Sequence, residues 1–189
     1  YAVSMTEWII LIRIFYKWSQ QIKENKQFYY FFPYRFLMAA DYWVTINLSI
    51  ALFMSIPAIN LYTHGTHITV AHAMGTTIGI NTMIIIAAAF YFIKPTFNNS
   101  KWKQFGTITF WVVQGTLFLF LSSLIGMGIH RALWQAGLAN ESFNKMSSSS
   151  GNWVLLFIIF GTILFLSMGT FIVYLFVKSW KKNKFDFPY

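Results

Sequence analysis

Several stretches of the chain run for more than eighteen positions without a charged residue, the clearest being 106–129, GTITFWVVQGTLFLFLSSLIGMGI, and 152–177. A helix of that length, rising about 1.5 Å per residue, crosses the roughly 30 Å of hydrocarbon in a bilayer. Two more spans are predicted over 36–58 and 64–91, the first entered past Asp41 and closed near Pro57, the second ended by Lys94-Pro95. Residues 3–16, VSMTEWIILIRIFY, are apolar but too short to cross alone. They read as the second half of a helix that begins before Tyr1, so the chain is expected to be part of a longer polypeptide. The predicted fold class is all-α, a polytopic transmembrane helix bundle forming a single membrane domain over 1–189.

The connections carry the polar residues. Lys17, Lys23, Lys26 and Arg35 lie in the first, Lys94, Lys101 and Lys103 in the third, and Lys178, Lys181, Lys182 and Lys184 in the tail. The intervening segments hold no cation, as in the 60–64 connection NLYTH, or only Arg131 and Lys145. Because basic residues are retained on the cytoplasmic side, this alternation places the tail in the cytoplasm and His64 outside. The serine run at 147–150 reads as a flexible turn between helices. Asp41 reads as structural, a carboxylate near a helix start where the dipole favours it.

Composition agrees with this reading: 57% of the residues are hydrophobic and 10% charged, which is membrane composition. The formal charge of +9 does not mark a nucleic-acid protein, since the cations sit at helix ends rather than along one face. There is no cysteine, so any metal must be held by His, Met or carboxylate. The aromatic residues are expected mainly at lipid contacts and as interface anchors, and His130 and Arg131 at an outer surface.

Candidate chemistry concentrates in residues 60–83, NLYTHGTHITVAHAMGTTIGINTM, which hold three of the four histidines. In a helix entered near His64, His72 lies roughly 12 Å below the membrane surface. His72 and Met74 project about 200° apart, so two different objects flank the helix. Imidazole nitrogen and thioether sulfur are both axial haem ligands, which gives one reading: a helix between two haems. The small residues Ala71, Ala73, Gly75 and Gly79 would let macrocycles or neighbouring backbones approach. The competing reading is ordinary helix packing, with the histidines bonded to neighbouring helices. Glu7 is the other anomaly, because a carboxylate inside a membrane helix costs about 2.5–3.5 kcal/mol on insertion scales and usually faces a bundle interior or a water path. Pairing with Arg13 is the alternative for it, at a poor helical spacing.

The stretch HGTHITVAHAM, residues 64–74, resembles the ligand helix of the haem-copper oxidase superfamily, and its His-Gly-Thr version resembles the catalytic, cytochrome b subunit of nitric oxide reductase. The proline-ended connection after it, the FWVVQGTLFLFLSSLIGMG span and the last helix with its basic tail are similar to the end of that subunit. The resemblance implies a C-terminal portion, from partway through the eighth helix to the twelfth. It implies haem b in high-spin and low-spin forms, a non-haem iron ligated mainly by residues outside this chain, and a calcium ion as a further cofactor. By the same resemblance His72 is the ligand of the high-spin haem iron, and His64, with Thr66 beside it, lies by the haem propionates. Glu7 helps to form the non-haem iron pocket and relays protons. The expected partners are the remaining part of the catalytic subunit, a cytochrome c subunit or a quinol as electron donor, and the lipid bilayer, with no nucleic acid.

One position departs from the family pattern: Met74 stands where a second histidine holds the low-spin haem. A His/Met pair would raise that haem's potential, and the other readings are that the haem is held elsewhere or is absent. His67 lies nearly two turns from Met74 and is no simple substitute. The reaction implied is reduction of two NO to N2O and water in a bacterial inner membrane. Two alternatives remain: a related haem-copper oxygen reductase, and a haem-free transporter or structural subunit in which the histidines pack or relay protons.

Overall fold

A computed structural model describes residues 32–93 and 100–183, together with eight separate helical positions between Thr6 and Gln20. Glu7 and most of the partial span 3–16 lie outside the described residues, as do residues 94–99 and the last six positions. Among the described residues the chain is helical with no strand: α1 (Phe32–Ser55), α2 (Pro57–Thr63), α3 (His67–Met74), a π-helical segment (Gly75–Thr82), α4 (Met83–Ile93), α5 (Ser100–Gln135), α6 (Phe143–Ser149) and α7 (Gly151–Asn183). Four helices are long and apolar enough to cross a membrane, over Phe32–Ser55, His67–Ile93, Gln104–Gln135 and Phe143–Val177. The protein is an all-α transmembrane bundle.

The spans begin and end where local chemistry stops a helix. Ile56 is held extended, with φ −70° and ψ 120°, because the residue before a proline is pushed out of the helical region. Pro57 then opens α2 from a first-turn position, where its missing N–H costs nothing. The predicted 36–58 span therefore starts earlier, at Phe32, and stops at Ser55, and the predicted connection 60–64 lies largely in α2. This shift changes the reading of Asp41. It stands in the third turn of α1, beyond the first turn where a helix dipole acts, so the dipole does not account for it.

The fourth predicted connection also differs. Phe143–Ser149 forms α6 rather than a flexible turn, because the local carbonyls are claimed one after another. Ser148 Oγ donates to Lys145 O at 2.9 Å, and Ser149 Oγ and Ser150 Oγ both donate to Met146 O, at 2.9 and 3.0 Å. Glu141 pairs with Lys145 at 3.4 Å, and Trp134 Nε1 donates to Glu141 O at 2.9 Å.

Packing runs from α1 onto the π segment and α4, from α3 onto α5, and from α5 onto α7. The α3–α5 contact depends on Gly128, where an added Cβ would stand 2.6 Å from the backbone N of Ile68. At one end of the bundle five phenylalanines from four helices close the core: Phe32, Phe36, Phe90, Phe110 and Phe171, each under a tenth exposed. Phe36 stacks on Phe90 at 5.7 Å between ring centroids and meets Phe110 and Phe171 edge-on at 5.1 and 5.2 Å. Part of the aromatic content expected at lipid contacts therefore forms interior, while Phe92, Phe165 and Phe176 do face outward.

Candidate functional site

The site is built on the break before α3. His64 is extended and exposed, its N–H donating to Asn60 O at 2.9 Å. Gly65 turns the chain at φ +72°, in the left-handed region that glycine enters without a Cβ penalty. Thr66 caps α3: its Oγ1 accepts from Ile68 N at 3.3 Å and donates to Thr63 O at 2.7 Å. His-Gly-Thr thus reads as an exposed ring, a turn residue and a cap. The hydroxyl of Thr66 is engaged by backbone on both sides, which accounts for it structurally.

Because the helix restarts at His67, His72 lies about 7.5 Å along α3 from its first residue, shallower than an entry at His64 predicts. Ala71 is fully buried against the bundle. At 100° per residue, His72 leaves the helix about 100° to one side of Ala71 and Met74 about 60° to the other. His72 is half-buried and Met74 is 38% exposed, so both flanks of the packed stripe carry a potential ligand. His72 Nδ1 is buried with no hydrogen-bond partner among the described residues. An unpartnered buried nitrogen costs about 1–3 kcal/mol, so a partner from outside these residues would relieve it.

His67, the first residue of α3, also has a buried Nδ1 without a partner. It lies five residues from His72, about 140° round the helix, and the two rings do not share a face. Among the described residues no group of three or more His, Cys, Asp or Glu could hold a metal ion. Glu7, placed in the non-haem iron pocket by resemblance, lies outside the described residues.

The small residues beside the ligands divide into two groups. An added Cβ on Gly75 would stand 2.7 Å from Asn47 Oδ1, and one on Gly79 would stand 2.9 Å from Trp43 Cγ. Both glycines are filled by side chains of α1, so their cradle serves helix packing. Ala73 remains exposed between His72 and Met74, about 100° round the helix from each.

Two arrangements here went unread in the sequence. Asn47, 4% exposed in the middle of α1, donates from Nδ2 to Thr76 Oγ1, whose own hydrogen goes to His72 O at 3.2 Å. An amide inside an apolar span was the available signal. The second is the π segment, in which Thr82 Oγ1 donates to Thr77 O, five residues back, at 2.8 Å. Such segments recur at functional sites, and here one begins directly after Met74.

At the same end of α5, two residues beyond the Gly128 contact with α3, the fourth histidine has serine neighbours at both ring nitrogens. His130 Nδ1 lies 3.0 Å from Ser150 Oγ and Nε2 lies 3.3 Å from Ser149 Oγ. It clamps the α6–α7 junction and takes no part in the α3 site. No protein-family model, no curated protein and no solved structure matches the chain.

Proposed function

We propose that residues 1–189 are the C-terminal part of a nitric oxide reductase catalytic subunit, set in a bacterial inner membrane with the C-terminus cytoplasmic. The observation that carries this reading is His72: an imidazole within a membrane-spanning helix, its Nδ1 buried and unpartnered, inside the HGTHITVAHAM pattern. The residues present fit a haem. His72 would hold the high-spin iron through an imidazole nitrogen, and Met74, on the far flank of Ala71, would hold the low-spin iron through sulfur.

When bound, haem and non-haem iron supply the redox chemistry that turns two NO, two protons and two electrons into N2O and water. The chain's own contribution is positional. The helix that carries His72 is tied to α1 through Thr76, which binds the His72 backbone carbonyl and is itself held by Asn47. Met74 is held on the exposed flank, where a second group would approach over Ala73. Glu7 would bring protons inward, and the non-haem iron would take its main ligands from outside residues 1–189. Electrons would come from a cytochrome c subunit or a quinol.

A second reading, a haem-free transporter or structural subunit, is favoured by one observation: the Gly75 and Gly79 cradle is filled by protein. Optical spectra of the intact complex, oxidised and dithionite-reduced, separate the two. The haem reading expects Soret bands, loss of the high-spin signal in His72→Ala, and a lower low-spin potential in Met74→His. A complex without haem absorption discards it, and a low-spin spectrum indifferent to Met74 moves that haem to another ligand.

A further inference from the structure

We draw no further inference here: the strongest candidate, the groove of about 550 Å³ between α1 and α5 lined by Met38, Tyr42, Trp111 and Phe118, is an apolar surface whose charged residue, Arg35, already donates to Thr107 at 3.0 Å, and nothing in the structure shows what covers it.

Discussion

Asn47 and Thr76 tie α1 to the π segment one turn beyond His72, and the tie is asymmetric: Asn47 Nδ2 is satisfied while its Oδ1 is buried without a partner. This asymmetry decides which partner is the costlier to remove. Asn47→Leu deletes one bond, worth about 0.6 kcal/mol on average between membrane helices, and also deletes the unpaired oxygen. Thr76→Val strands the whole buried amide, at about 1–3 kcal/mol. Thr76→Val should therefore destabilise the protein more than Asn47→Leu in denaturant titrations of the detergent-solubilised protein. The reverse order would mean that the bond does not form as described.

Gly79 and Gly169 should respond in opposite senses to the same added methyl. Gly79→Ala forces the Trp43 ring to move and disturbs its 2.7 Å bond to Gln114, a case of overpacking that typically costs about 1–3 kcal/mol. Gly169 has nothing within 4 Å of an added Cβ, so Gly169→Ala should be neutral or stabilising by up to about 1 kcal/mol, the usual gain on replacing helical glycine. Thermal unfolding of the two variants checks the contrast. Equal shifts would remove Trp43 from the role of packing partner.

Arg35 is counted among loop cations by sequence, yet only 5% of it is exposed. Its guanidinium donates to Thr107 Oγ1 and lies 5.7 and 6.0 Å from the ring centroids of Phe32 and Phe110. Arg35→Lys keeps the charge but loses the planar fork that bonds and stacks at once. A hydrogen bond from a charged group is worth about 1.5–3 kcal/mol, so Arg35→Lys should lower stability measurably and Arg35→Ala further. If lysine restores wild-type unfolding, charge alone is what the position requires.

His130 lies between Ser149 and Ser150; a neutral ring donates to one hydroxyl oxygen and accepts from the other, whose hydrogen then turns to it from Met146 O. His130→Ala should release the start of α7 and admit protease near residues 145–151, at a cost of about 1 kcal/mol for each neutral bond lost. Limited proteolysis followed by mass spectrometry reads the cleavage site. Unchanged protection would show that α6 holds without the clamp.

How much of the site was legible in the sequence follows from what each residue answers to. His72 and Met74 stood out because thioether and imidazole at a spacing of two must leave a helix on different sides, whatever surrounds them. The same two positions did not reveal that Ala71 lies buried between them, because burial depends on α5. Thr66 was read as a cofactor contact through resemblance, and its capping bonds appeared only with the break at Gly65. Glu7 lies outside the described residues, so its reading rests on the resemblance.

By itself the sequence determined that the protein is a bundle of membrane-spanning helices, since hydrocarbon about 30 Å thick demands long uncharged runs and satisfied backbones, and both are properties of composition and order. It also placed the candidate ligands on one helix. Tertiary structure decided what each helix face meets: that Gly75 and Gly79 receive Asn47 and Trp43, that Arg35 is interior, and that Asp41 is left facing outward. The physical reason is that inside a bilayer lipid-facing and protein-facing positions are both apolar, so a membrane helix carries little amphipathic signal to say which side packs.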